Sequence, residues 1–173
     1  GVLTAEAPKI YELGEGMVPL RARVTDFLRK YNDAFPSRAM NIILFDDAMR
    51  HLMRITRCLG MLKGCILLVG VGGSGKQSLT RLASYCAGQN FFQITISKTY
   101  NMNSLLDDIR VMYKACGSMG QKTTFLFTDS EIKDEMFLEK INTLLMTGNI
   151  PGLFPKDEVL AICGDLQPHF AKA

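Results

Sequence analysis

Disulfide and metal-site patterns are missing from this chain. Its five cysteines (58, 65, 86, 116 and 163) are widely spaced, and none forms a CxxC pair. Its two histidines lie far apart, at 51 and 169. A zinc site and a disulfide framework are therefore disfavoured, and a reducing, cytosolic compartment is expected. No apolar run approaches the roughly 18 residues that a membrane-crossing helix needs, so no membrane partner is expected. Lys and Arg are scattered and the net charge is only +3, so no nucleic-acid partner is read from charge. There is no basic start followed by an apolar core, and no signal peptide is expected. Internal repeats and low-complexity segments are absent too. The opening GVLTAEAPKIYELGEG suggests a piece of a longer polypeptide.

What is present fits one globular domain. A chain of 173 residues is long enough to bury a core, and 47% hydrophobic with 21% charged residues argues against disorder. A helix is expected over Leu20–Tyr31, with Val24, Phe27, Leu28 and Tyr31 on one face. Pro36-Ser37 breaks it. In NIILFDDAMRHLMRITRCLG (41–60) a short extended run precedes a helix. Phe45, Met49, Leu52, Ile55 and Leu59 form its apolar stripe. Arg50, Arg54 and Arg57 line the other side, a solvated face supported by an Asp46–Arg50 pair.

From Gly64 the pattern changes. CILLV (65–69) reads as a strand buried on both faces. A glycine loop follows, then a helix from Lys76 to Gly88 with Leu79, Leu82, Ala83 and Cys86 inward. Strands are expected at FFQITI (91–96) and TTFLFT (123–128). Between them lies a helix over 103–117, with Leu105, Ile109, Met112 and Cys116 on one side. Another helix is expected over 130–148, capped by Ser130 and stopped by Gly148. NIPGLFP is a loop, and KDEVLAICG reads better as a helix than as a strand. This alternation predicts an α/β fold of three layers, α/β/α, around a partial parallel sheet.

The glycine loop is GVGGSGKQS: Gly70, Val71, Gly72, Gly73, Ser74, Gly75, Lys76, Gln77 and Ser78. It carries the GxxxxGK spacing of a phosphate-binding (Walker A) loop, and it follows a strand pattern and opens a helix pattern. Glycines let backbone N–H groups point inward at phosphates. The helix start adds its positive end, and Lys76 supplies a point charge for the β/γ-phosphates of ATP or ADP. Gln77 stands where a Ser or Thr would ligate Mg²⁺. Its amide oxygen is longer and neutral, and Ser78 is rotated about 100° around the helix. Mg²⁺ is therefore expected to be held weakly or through water.

A complete ATPase site also needs an Asp-Glu pair at the end of a strand beside the loop's strand. TFLFTDSEI offers Asp129. In one register Asp129 is the metal carboxylate and Ser130 replaces the catalytic Glu. In the other, Thr128 replaces the metal Asp and Asp129 takes the Glu position. Neither gives an intact pair. Glu131 reads as a solvated carboxylate at a helix start. Binding with slow or absent hydrolysis is expected. A GTPase base-reading motif, an arginine-rich kinase lid and a helicase's aromatic strip are not evident. A small P-loop kinase and a non-binding scaffold unit stay open as alternatives.

LLVGVGGSGKQSLTRLASYCAG, FFQITISKTYN and FLFTDSEI…FLEKINTLLMTGNIPGLFPKDE look like a dynein heavy chain. Within that family they resemble the fourth AAA+ unit of the motor ring in ciliary (axonemal) dyneins. MNIILFDDAMRHLMRITR resembles the segment leading into that unit. The similarity spans residues 40–163, which marks an incomplete AAA+ large subdomain with a helical lead-in over 1–39 and a tail over 164–173. The resemblance implies a unit that binds nucleotide and modulates a microtubule motor whose main hydrolysis occurs elsewhere in the ring. It implies neighbouring AAA+ units, other dynein chains and microtubules as partners, in the axonemal cytoskeleton. It also favours the register with Asp129 at the Glu position.

Overall fold

The computed structural model describes residues 16–170, so the first 15 residues of the expected 1–39 lead-in and the last three of the expected tail lie outside the described residues. α1 spans Met17–Ala34, wider than the expected helix. Its buried residues are Val24 and Tyr31. Tyr31 meets Tyr85 of α3 (Lys76–Cys86) edge-on, with ring centres 5.5 Å apart. α2 spans Asp46–Leu59 and buries Ala48, Met49, Leu52 and Ile55; of the expected stripe Met49, Leu52 and Ile55 are buried and Leu59 is half-buried. Phe45 sits just outside the helix and is 59% exposed. Asp46 pairs with Arg21 of α1, not Arg50; Arg50 takes Asp47 at 2.9 Å.

The expected strand at 65–69 does not form. The segment is assigned to no strand, and Leu67 and Val69 are 87% and 85% exposed. A strand exists by virtue of a ladder partner. The ladder in the described residues joins β1 (Asn90–Gln93) to β2 (Thr123–Leu126), in parallel, with Phe91 opposite Thr124 and Phe92 opposite Phe125. Both strands are shorter than their apolar runs. The chain enters 65–69 from a tight turn, where Gly64 packs so closely that an added Cβ would lie 1.9 Å from the Cys58 carbonyl oxygen. An apolar segment with unpaired backbone groups is an association hazard. The isolated chain is expected to show a concentration-dependent sedimentation coefficient, and Leu67→Lys with Val69→Lys is expected to abolish that dependence.

The crossover from β1 to β2 runs through α4 (Met102–Gly117), started by a capping box between Asn101 and Ser104. Leu105, Ile109 and Met112 are buried as expected, while Cys116 is exposed. The next helix, α5, spans Glu135–Thr147. Its N-cap is Asp134, accepting from Met136 N–H at 2.9 Å, so Ser130 is not the cap. Residues 129–131 form a separate 3₁₀ turn. Gly148 ends α5 with φ 70°, a left-handed conformation suited to glycine. α6 (Lys156–Phe170) continues past Gly164.

The apolar residues divide into two clusters. One joins Val24, Tyr31, Met40, Leu44 and the inner faces of α2 and α3. The other joins Ile94, Leu105, Ile109, Met112, Phe137, Ile150 and Leu153, with Phe92 and Phe125 packed on it. Alternate residues of a strand face opposite ways. Phe91 lies under the Arg81 guanidinium of α3, at 5.4 Å, and Phe92 joins the α4/α5 cluster. Helices thus flank the short sheet in an α/β/α order. Burial pushes the Cys86 thiol up to about 11. Fewer than about 1 in 100 such thiols ionises at pH 8. Alkylation of Cys86 by iodoacetamide at that pH is therefore expected to lag well behind the exposed Cys65 and Cys116, as peptide mass spectrometry would read.

Candidate phosphate-binding site

The loop from Gly70 to Gly75 is exposed along its length and leads straight into α3 at Lys76. Gly75 caps that helix with φ 77°, and Gly73 has φ 75°. These left-handed residues turn the backbone back on itself, a path that a side chain would strain. Lys76 is folded into the loop. Its ammonium donates to the carbonyl oxygens of Gly70 and Val71, both at 2.7 Å, and to Ser74 Oγ at 3.2 Å. Gly70, Val71 and Ser74 are therefore gathered around one cation at a helix N-terminus. Gln77 is exposed on the first turn of α3, and Ser78 is half-buried. Thr80, one turn along, bonds back to the Lys76 carbonyl at 2.8 Å.

These features suit phosphate oxygens: open glycines, a positive helix end and a lysine within the loop. They suit a metal ion less well. Among the described residues no group of three or more His, Cys, Asp or Glu side chains is placed to hold one.

Asp129 opens the 3₁₀ turn that follows β2, and its side chain is exposed. The expected neighbour of β2, the strand at 65–69, is not paired to it; the ladder partner of β2 is β1. Thr128 Oγ1 and Ser130 Oγ lie 2.8 Å apart and share a hydrogen bond.

Glu131 departs from expectation. It is 4% exposed, not solvated. One carboxylate oxygen accepts from the Thr128 backbone N–H, closing a capping box, and the other accepts from Gln93 Nε2 at 2.7 Å. Gln93 Oε1 in turn accepts from Arg81 Nη2 at 2.8 Å. The sequence gives Gln93 no role, and Arg81 only that of a helix arginine outside any basic lid. The available signal was a glutamine ending a strand three residues after Asn90, an odd choice at a half-buried position.

Three more anchors tie neighbouring segments together. Lys133 donates to the carbonyls of Ser97, Lys98 and Tyr100 at 2.7, 3.0 and 3.2 Å, tying the loop after β1 to the segment after Asp129. Tyr100 donates to Asp108 at 2.7 Å. Burial, with this bond to Asp108, raises the phenol's pKa, so Tyr100 stays neutral. Gln89 bridges α2 to β2: its amide donates to the Leu59 carbonyl at 2.7 Å and accepts from Thr124 Oγ1 at 2.6 Å.

Comparison with known proteins gives the same direction. Residues 40–173 match the P-loop-containing dynein motor region D4. Axonemal dynein heavy chain 5 of Mus musculus is 47% identical over 168 residues, 97% of this chain and 4% of that protein. Axonemal dynein heavy chain 8 of Homo sapiens is 48% identical over 154 residues, 89% of this chain and 3% of its own length. The flagellar outer-arm dynein gamma chain of Chlamydomonas reinhardtii is 46% identical over 167 residues, 96% of this chain and 4% of that protein. The chain thus spans a few per cent of the length of these curated relatives. With a loop, helix and acidic turn of this kind inside the matched region, the chain belongs to the dynein heavy chain family, in its P-loop-containing motor region.

Proposed function

We propose that this chain is a nucleotide-binding AAA+ unit, the fourth of the motor ring, in a ciliary dynein heavy chain. It holds ATP or ADP through Gly70–Ser78 and hydrolyses it slowly or not at all. The observation that carries this reading is the glycine loop closed around the Lys76 ammonium at the start of α3. A phosphate group would take over that ammonium and the free N–H groups of the helix end. Slow hydrolysis follows from what surrounds the loop. Gln77 offers a neutral amide where a hydroxyl would grip Mg²⁺. Asp129 is one methylene short of a Glu at the water-orienting position. Glu131 cannot replace it, because both its oxygens are engaged.

The axonemal and flagellar relatives support a place in the axonemal cytoskeleton. The partners in this reading are neighbouring AAA+ units and other dynein chains, with microtubules reached through the whole motor. Residues 40–163 form the nucleotide-binding part. The test compares a heavy chain carrying this sequence with its Lys76→Ala variant. Bound labelled nucleotide should fall by one site's worth, and the nucleotide lost with the variant should be ATP that has stayed uncleaved over many motor cycles. Equal nucleotide content would remove the binding reading, and ATP cleaved at this site within one motor cycle would remove the slow-hydrolysis reading.

A further inference from the structure

Arg81, Gln93 and Glu131 form a continuous line of side-chain hydrogen bonds across three elements. Arg81 stands on α3, the helix that the glycine loop opens. Gln93 ends β1. Glu131 closes the acidic turn after β2 and grips the N–H of Thr128, the residue before Asp129. The line has a direction fixed by chemistry. A cation on one side and a carboxylate on the other force the Gln93 amide to present its oxygen to Arg81 and its nitrogen to Glu131. Glu131 is a buried carboxylate whose hydrogen-bond partners are the Thr128 N–H and this neutral amide, with the Arg81 charge one residue further on. A buried carboxylate is costly unless fully hydrogen-bonded, so a shift of Gln93 must be met by a shift of Glu131. Arg81 has slack on its own side: its Nε is buried without a partner, while its guanidinium lies over the Phe91 ring at 5.4 Å.

We infer that Glu131 is a positioning residue for the acidic turn, and that the Arg81–Gln93–Glu131 line reports the state of the glycine loop to that turn. The inference rests on the nucleotide-binding reading above for its input and on the observed contacts for its path. A phosphate group drawing Lys76 off the Gly70 and Val71 carbonyls would reset the first turns of α3. Arg81 lies five residues along that helix, and its bond carries the change to Gln93. Glu131 then moves or holds the Thr128 N–H, and Asp129 with it.

The test is amide hydrogen exchange of the peptide covering 123–134, in a heavy chain carrying this sequence, with and without ADP. Binding is followed separately with a fluorescent ADP analogue. Gln93→Leu should speed exchange of residues 128–131 about tenfold without nucleotide, while a peptide from α4 keeps its rate. In the unaltered chain ADP should change exchange in the turn, and in Gln93→Leu it should not, although ADP still binds. Arg81→Met keeps an unbranched apolar side chain on α3, removes the guanidinium from Phe91 and Gln93, and leaves the Gln93–Glu131 bond in place. It should leave the basal rate alone and abolish the response to ADP. Unchanged basal exchange in Gln93→Leu would overturn the positioning role. An undiminished ADP response in both variants that bind ADP would overturn the reporting role. Absence of ADP binding in the unaltered chain would instead defeat the nucleotide-binding reading and with it the reporting role, while the basal comparison still decides the positioning role.

Discussion

Lys76→Ala is expected to weaken ADP binding at the glycine loop by about 10- to 100-fold. The figure follows from the charge-assisted bonds that one ammonium gives to phosphate oxygens, each contributing roughly 1.5–3 kcal/mol, where about 1.4 kcal/mol is tenfold. The same ammonium holds the loop when no phosphate is there, through Gly70, Val71 and Ser74. Alanine therefore removes both the ligand contact and the loop's internal tie. The helix end and the glycine N–H groups remain, which is why the expected loss is finite. An equilibrium titration with fluorescent ADP, read as the difference between the two proteins, measures it. A difference below twofold would mean that the ammonium never leaves the carbonyls.

Phe137→Ala is expected to cost about 3–5 kcal/mol of stability, the range for emptying a large buried aromatic site. Phe137 is 2% exposed and joins α5 to the second apolar cluster. Its ring meets Tyr100 at 6.2 Å between centres, and Tyr100 is fixed by Asp108. The cavity would thus open beneath the loop that Lys133 ties down. A domain of this size has about 5–15 kcal/mol in total, so the loss is roughly a fifth or more of it. Urea unfolding followed by circular dichroism would show the midpoint fall. An unchanged midpoint would mean that α5 is held by something other than this cluster.

Helices were well read from the sequence where one face is continuously apolar. Met49, Leu52 and Ile55 on α2, and Leu105, Ile109 and Met112 on α4, are buried as their spacing requires. Period is a local property and survives in a single window. The turn from the glycine loop into α3 was equally legible, since the spacing of its glycines sets the backbone path. Strand pairing was not. CILLV has the composition of an inner strand, but a ladder depends on a second segment that local sequence does not specify. Glu131 was misread for a related reason. Its spacing after Thr128 was compatible with an exposed first turn, and its burial is set by Gln93, 38 residues away. Ser130 lost the capping role to Asp134 because a 3₁₀ turn intervenes.

The division of the apolar core has a thermodynamic consequence. The glycine loop rides on the cluster built from α1, α2 and α3, and the acidic turn follows a strand packed on the other cluster. Each half can then melt on its own, with two β-strands of four residues each and a handful of side-chain bonds linking them. A ligand that touches both halves acts as a coupling agent. It merges two weakly linked transitions into one, so nucleotide would sharpen the unfolding curve as well as move it.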